Sequence, residues 1–308
     1  MVKRTAQKAS SLTVEVGGRL DGFLRGALGL SWGRARGLVE GGKVFVDGTR
    51  VLDTSATLQV GSVVTVNERA PRPAADVPDD LLVYADAHVV VVRKPPFVST
   101  VPYEPGERGT LDELTAKALP HGRGHGPRPT LGIVHRLDKE TSGLVVFTRS
   151  WLAKKSLSSQ FRVHSVVRRY LAIAHGDVSR RTITSHIVPD RGDGIRGSTE
   201  HMRGAHAAGQ RSVTHVEPLE QLKGATLVAC RLETGRTHQI RIHLAELGHP
   251  VIGERVYVRD FRATPLVAPR IMLHAAELGF VHPKTNRPVH WEEPPPADFV
   301  AMLARLRR

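Results

Sequence analysis

The sequence predicts an α+β protein in two parts, a small domain followed by a larger one. Three observations carry this. Strand-like and helix-like stretches intermix along the 308 residues without a clean βαβ repeat. A stretch at 68–80, with three prolines and no periodicity, interrupts them. A content of 40% hydrophobic and 24% charged residues is that of an ordinary globular chain, long enough to bury a sizeable core.

Residues 1–12 are polar and basic and read as a flexible leader. Residues 13–67 read as the small domain. Leu20, Phe23 and Leu24 fall at i, i+3 and i+4 and share one helical face. Ser31 is placed to N-cap a second helix carrying Arg34, Arg36, Leu38 and Val39, and Gly41-Gly42 stops it. Val44-Phe45-Val46 is a short strand, Asp47-Gly48 a hairpin turn and Val63–Val66 a further strand. Residues 68–80 form the linker and 81–308 the second domain. There Val89–Val92 is a β-branched run, hence a buried strand, closed by Lys94-Pro95-Pro96. Leu111 to Leu119 has helical spacing. His121 to Pro129 reads as a mobile basic loop, since two histidines among Gly and Arg without a carboxylate make a poor metal site. Leu144–Thr148, Tyr170–Ala174 and Thr226–Arg231 read as strands, the last with Cys230 packed inside. Residues 177–211, rich in Arg, Gly, Asp and His, read as an irregular insertion. Trp291 and Pro294–Pro296 read as packing and a turn.

Lys and Arg number 44 and Asp and Glu 30, a formal charge of +14. The first 70 residues carry a net +4 and the remainder +10, so the surplus is spread along the chain. Such a surplus favours a long contact surface for a phosphate backbone, although any single arginine reads equally well as part of a solvated helix face. No apolar run approaches the ~20 residues that cross a bilayer. The N-terminus lacks the apolar stretch of a secretory signal. One cysteine rules out an internal disulfide framework and a Cys-rich zinc site. Membrane, small secreted and fibrous classes are thereby excluded, and a cytoplasmic protein that attracts polyanions is expected.

Two stretches carry chemistry. In Leu131–Phe147, two apolar strands flank a polar turn presenting His135, Arg136, Asp138, Thr141 and Ser142. A carboxylate there, beside Arg136 and Lys139, suits a nucleophile or base. Taken alone, the turn is better explained by an Asp that accepts backbone amides. In Leu232–Pro250, Thr237 is placed to N-cap a helix and Gly248-His249-Pro250 to end it, with Ile240, Leu244 and Leu247 facing the core. Arg236 before the helix and Arg241 in its first turns gather donors suited to an anion. His238 and His243 are five apart and off one face, so no zinc pair is expected. Glu233 is a loop carboxylate with no evident partner.

His135-Arg136-Leu137-Asp138, followed by Thr141-Ser142-Gly143-Leu144, resembles the signature of RluA-type pseudouridine synthases. Tyr84-x-Asp86 with Arg93-Lys94-Pro95 resembles the strand opening that family's catalytic domain. Phe161 through Arg168-Arg169-Tyr170-Leu171-Ala172 resembles the segment with its active-site tyrosine. Gly235-Arg236-Thr237-His238-Gln239-Ile240-Arg241 with Gly248-His249-Pro250 resembles its third motif, and Leu273-His274-Ala275 with Phe280, His282 and Pro283 its closing segment. The resemblance covers about residues 81–300. Arg168 stands where the family usually has Lys, Gly253-Glu254 where it has Gly-Asp, and Phe97 where a glycine often follows Lys-Pro. Separately, Arg19-Leu20-Asp21, Gly42 through Gly48 and Gly61 through Val64 resemble an S4-type RNA-binding domain, with Trp32-Gly33 where that family often has an Arg after the serine.

The resemblance implies a mixed, mainly antiparallel catalytic sheet preceded by a small S4-like α/β domain. It also implies isomerisation of uridine to pseudouridine within RNA. The N1–C1′ glycosidic bond breaks, the uracil turns and C5 joins C1′, with no cofactor and no metal. Asp138 is expected to act at the glycosidic bond, attacking C1′ or the ring or removing the sugar 2′ proton. Arg241 is expected to pair with Asp138. Tyr170 is expected to stack on the uracil, since a phenol is a poor unaided base. The target nucleotide has to leave its stack. Arg136, His135, Arg168, Arg236 and Lys94 are expected on the RNA in the catalytic domain, and Arg19, Arg34, Arg36 and Lys43, with Lys3, in the S4-like one. The implied partner is structured RNA, most directly large-subunit (23S) rRNA by family analogy, met by a monomer. A tRNA substrate, or a non-catalytic RNA-binding or ribosome-assembly factor on the same scaffold, stand as alternatives.

Overall fold

The computed structural model describes residues 10–70, 77–120, 130–201 and 209–308. Residues 1–9 of the 1–12 leader, the middle of the linker at 71–76, the loop at 121–129 and residues 202–208 lie outside the described residues, whereas Ser10, Ser11 and Leu12 of the leader are not flexible but pair with Val66, Thr65 and Val64. The chain divides into two compact units, Met1–Ala75 and Asp76–Arg308. Among the described residues no helix is long and apolar enough to cross a membrane.

The first unit contains β1 (Ser10–Thr13), β2 (Gly18–Arg19), α1 (Leu20–Leu28), α2 (Trp32–Glu40), β3 (Val44–Val46), β4 (Thr49–Arg50), β5 (Thr57–Leu58) and β6 (Val63–Val66). Leu20 and Leu24 of α1 meet Leu38 and Val39 of α2 over Val44 and Val64, which gives the unit its own core. The Ser31 hydroxyl accepts from the Arg34 amide at 3.2 Å, which starts α2. Asp47 and Gly48 both have positive φ, 49° and 78°, as a two-residue hairpin turn with the native strand twist requires. The sheet order is β1-β6-β3-β4, antiparallel throughout.

The second unit contains β7 (Leu82–Ala85), β8 (Val89–Lys94), α3 (Leu111–Ala118), β9 (Gly132–Ile133), β10 (Ser142–Thr148), α4 (Trp151–Arg162), β11 (Val167–His175), β12 (Arg181–Val188), β13 (Gly197–Ser198), β14 (Gln210–Leu222), β15 (Ala225–Leu232), α5 (Gln239–Glu246), β16 (Leu273–Val281), β17 (Pro288–Glu292) and α6 (Ala297–Arg307). One sheet runs β13-β12-β14-β15-β11-β16-β10-β8-β7, with β17 on β16 and β9 on β10. β10 and β16 pair in parallel and the other neighbours antiparallel. Val89 and Val91 of β8 pack with Leu144 and Val146 of β10, while Val90 and Val92 are equally buried on the opposite face. A strand covered on both sides reads as an unbroken β-branched run, and each such side chain contributes about 1.5–3 kcal/mol by leaving water. Gly143 has φ 115°, and a Cβ there would sit 2.2 Å from the Ala275 carbonyl oxygen. Only glycine lets β10 run this close to β16 as the chain leaves the turn that carries Asp138.

Three expectations are corrected. The stretch 177–211 is not irregular throughout, because β12 and the start of β14 lie in it and pair from Arg181↔Val216 to Ile187↔Gln210; residues 189–196 between strands are irregular, and 202–208 lie outside the described residues. Thr237 does not cap α5. The helix starts at Gln239 behind His238, which is left-handed with φ 59°. His238 makes no side-chain cap bond either. The Gln239 side chain instead ties the helix start to its surroundings, its carbonyl oxygen accepting from the Arg236 amide and its amide donating to Val213 O and Thr214 Oγ1 of β14. Glu233 has a partner, His215 Nε2 at 2.7 Å. Gly248, at φ 83°, does end α5, and Cys230 is buried in β15, where burial pushes its thiol up to about 12.

Candidate active site

Asp138 lies in the turn between β9 and β10, and the turn is held from both sides. Lys94, at the end of β8, is fully buried, and its ammonium donates to the carbonyls of Pro95, Lys139 and Thr141 at 3.0, 2.9 and 2.7 Å. Burial pulls its pKa down to about 7. The Thr100 hydroxyl donates to Leu137 O at 2.9 Å and lies 3.1 Å from the Leu137 amide. These bonds fix the backbone on both sides of Asp138 and leave its side chain partly exposed.

Tyr170 sits in β11, opposite Ala275 of β16 and Cys230 of β15, at a register shift between Arg169 and Tyr170. The irregularity falls at Tyr170 itself, and a bulge of this kind re-aims a side chain. Burial raises the phenol's pKa, which weakens any case for it as a base.

Arg241 projects from the first turn of α5. Its Nη1 lies 3.3 Å from Asp138 Oδ2. Nε and Nη2 make a two-pronged contact with Glu254 at 2.7 and 2.9 Å. Glu254 Oε1 also accepts from the amides of Arg255 and Val256. Burial works against both charges, but the mutual hydrogen bonds and Coulomb attraction outweigh it. The Arg241 pKa is therefore raised and the Glu254 pKa lowered. Gly253, at φ 87°, permits this corner, for a Cβ there would lie 1.9 Å from Arg270 O. The Tyr257 ring lies under the guanidinium, 5.3 Å from its carbon.

His238 stands beside this pair, with Nε2 3.8 Å from Asp138 Oδ1 and Nδ1 2.7 Å from the Tyr257 hydroxyl. Burial lowers its pKa. Arg136, Asp138, Tyr170, Arg236, His238 and Arg241 line one pocket with Leu137, Thr141, Leu232 and Leu273. Arg136 is exposed, its Nη2 3.4 Å from Thr237 Oγ1, and Arg236 Nε is 3.4 Å from Arg211 O. An opening of this kind gathers a carboxylate, an aromatic side chain and guanidinium groups, a set suited to a planar ligand that carries negative charge.

The structure brings Asp138, Tyr170 and Arg241 together with Arg136 and Arg236. It places three of the expected RNA-binding residues elsewhere. Lys94 is spent on the carbonyls of the Asp138 turn. His135 stacks on Phe161 at 4.7 Å, and its Nε2 accepts from the Val146 amide at 3.0 Å. Burial, aided by Arg168, takes its pKa down to about 3, so the ring is neutral and structural. Arg168 is buried, donates to Glu233 O at 2.9 Å and lies over Phe161. In the first unit Arg19 and Arg36 both pair with the buried Asp21, Arg34 pairs with Glu68, and the Lys43 ammonium donates to Ala70 O. The three guanidinium groups remain at least half exposed, so their outer edges are open to a phosphate.

Sequence reasoning missed His238 as a neighbour of Asp138, and missed Glu254 and Tyr257 as partners of Arg241. Glu254 carried one signal, its position one residue after a glycine where the resembled family has Asp.

A sequence profile described as RNA pseudouridylate synthase matches residues 88–246. The chain is 36% identical over 317 aligned positions to a protein of Zymomonas mobilis named ribosomal large subunit pseudouridine synthase D, covering 96% of each chain. It is 33% identical to the protein of that name from Pseudomonas aeruginosa, covering 98% of this chain and 96% of the relative. Among solved structures, human RNA pseudouridylate synthase domain containing 1 superposes with a TM-score of 0.56 at 27% identity, over 72% of this chain and 86% of that one.

Proposed function

The chain belongs to the RNA pseudouridylate synthase family, and from that premise we propose that it isomerises uridines to pseudouridine in large-subunit ribosomal RNA. The observation that carries the reading is the Asp138–Arg241 pair facing Tyr170 in one pocket. Asp138 acts at the glycosidic bond. Arg241 occupies Oδ2 and fixes the carboxylate's rotamer, which leaves Oδ1 to the ribose or the ring. Tyr170 supplies the face on which the detached uracil turns before C5 meets C1′. Arg136 and Arg236, at the mouth, hold backbone phosphates while the nucleotide is out of its stack. The first unit acts as an S4-like RNA-docking domain through Arg19, Arg34 and Arg36, joined to the catalytic unit by the linker at 68–80. The enzyme works in the cytoplasm as a monomer.

The test is conversion of unmodified transcripts of large-subunit rRNA and of tRNA by the purified protein. Pseudouridines are read by carbodiimide labelling and primer extension. Conversion at discrete rRNA uridines is expected. Conversion of tRNA alone would replace the substrate, and conversion of neither, with RNA still bound, would make the protein a non-catalytic factor.

A further inference from the structure

Resting on that reading of the site, we propose that His238 is a further catalytic residue, donating a hydrogen bond from Nε2 to uracil O2 while the N1–C1′ bond breaks. The neighbouring tyrosine sets the tautomer. Nδ1 lies 2.7 Å from the Tyr257 hydroxyl. Burial pushes the Tyr257 phenol up to about 12, so it keeps its proton, and among the described residues no other hydrogen-bond partner of that hydroxyl is found. Tyr257 therefore donates and Nδ1 accepts. A neutral imidazole whose Nδ1 accepts carries its one proton on Nε2.

That proton points into the site. Nε2 faces Asp138 Oδ1 across 3.8 Å, too far for a hydrogen bond, inside the pocket that Tyr170 also lines. Asp138 Oδ1 is the oxygen that Arg241 leaves free, so an atom attached to C1′ lies against it and within reach of Nε2–H. Of the acceptors on the base, O2 is the one next to N1. The backbone agrees. His238 is held at φ 59°, a left-handed conformation uncommon for a side-chain-bearing residue, ahead of a helix start that Gln239 secures. Strain of this kind persists where the surroundings over-determine a functional side chain.

The chemistry asks for such a donor. When N1–C1′ breaks, the electron pair leaves with the uracil and spreads over N1, O2 and O4. A donor at O2 stabilises that charge. The donor has to be neutral, because C5 must stay electron-rich to attack C1′ and a cationic imidazolium would hand its proton to the ring. Burial keeps His238 neutral, with Arg241 acting in the same sense against the opposing pull of Asp138. No proton leaves His238 at any stage. The balance closes on the base: C5 loses its proton once it is bonded to C1′, and N1, which kept the electron pair of the broken glycosidic bond, takes one up, so the isomerisation neither gains nor loses a proton.

The experiment compares wild type, His238→Phe and His238→Gln as full-length proteins on one RNA, reading kcat and KM. Phe keeps the ring and its edge packing on Tyr257 but has no donor, whereas Gln gives up the ring and offers an amide N–H at similar reach. The expected result is a kcat about a hundredfold lower for Phe with KM nearly unchanged, and at least about a tenfold recovery for Gln. Phe equal to wild type, or Gln no better than Phe, would overturn the proposal. If His238→Phe does not fold, Tyr257→Phe takes its place. That change releases Nδ1 and lets the proton move between nitrogens, so kcat should fall while KM holds, and an unchanged kcat would overturn the tautomer assignment. Wild type that makes no pseudouridine sinks the functional reading together with this proposal. An active wild type with unaffected variants sinks the role of His238 alone.

Discussion

Glu254 grips the guanidinium of Arg241 through both carboxylate oxygens, at 2.7 and 2.9 Å, on the side away from Asp138. One edge of the planar group is thereby used up, and the remaining nitrogen, Nη1, is left to reach Asp138 at 3.3 Å. The Asp138 carboxylate is thus oriented through a guanidinium that a second, buried carboxylate holds in place.

Glu254→Gln tests this arrangement. Removing one partner of a buried pair should lower stability by about 3 kcal/mol and loosen Arg241, so kcat falls while RNA binding holds. The folded-state pKa of Glu254 lies below its ordinary 4.5. Its contribution is therefore complete above about 4.5 and disappears as pH falls through the lower folded value. Urea melts should show a clear gap between wild type and variant near neutrality, shrinking as acid is added. A gap that widens in acid would contradict the assignment.

Lys94→Met leaves three backbone carbonyls without their donor and should destabilise by about 2–4 kcal/mol. Because Lys139 O and Thr141 O belong to the Asp138 turn, kcat should fall with little change in KM. Since burial takes Lys94 from 10.5 to about 7, the native state sheds a proton that the unfolded chain keeps between those values. Wild-type stability relative to the variant should therefore climb with pH across that window. A difference that stays flat or falls there would place the ammonium in contact with water.

Phe97→Gly should stabilise the protein. Phe97 is exposed and has φ 65°, a conformation that strains any residue with a Cβ by about 1–2 kcal/mol. Glycine's greater freedom in the unfolded chain offsets part of that, leaving a gain of about 0.5–1 kcal/mol. Thermal melts read it directly, and a lower Tm would mean that the ring's packing is worth more than the strain.

Removing residues 1–75 should weaken binding to long structured RNA more than it slows reaction on a short hairpin. It should also flatten the salt dependence of binding, by about 0.7–0.9 in the log–log slope for each phosphate that is no longer neutralised. Equal impairment on both substrates would remove the docking role of the first unit.

What was legible in the sequence was local. The Asp138 turn announced itself as polar residues between two apolar runs, α1 by spacing, α2 by its Ser31 cap and glycine stop, and α5 by spacing and its glycine stop but not by its cap. Lys94 misled because a lysine before two prolines looks like a surface residue, and nothing nearby reveals that three carbonyls converge on it. Glu254 and Tyr257 follow Arg241 by 13 and 16 positions and meet it only when the chain turns back after α5. β12 was hidden by the polar residues that cover its exposed face, and β14 by Pro218 at the irregularity in its pairing with β15. α6 starts directly after three prolines that read as a turn. The five-residue spacing of His238 and His243 bears only on a zinc pair along a helix, and it says nothing of a residue that stands just outside that helix in a left-handed turn.

The most direct test of the central claim is pseudouridine mapping of rRNA from cells that lack the gene, complemented with wild type or with Asp138→Asn. Asparagine keeps the size of the side chain and removes the carboxylate, so the protein should still bind RNA while turnover falls by about a thousandfold or more. Discrete large-subunit uridines should lose their modification on deletion, regain it with wild type and stay unmodified with Asp138→Asn. Restoration by Asp138→Asn, or a large-subunit map that deletion leaves unchanged, would contradict the claim.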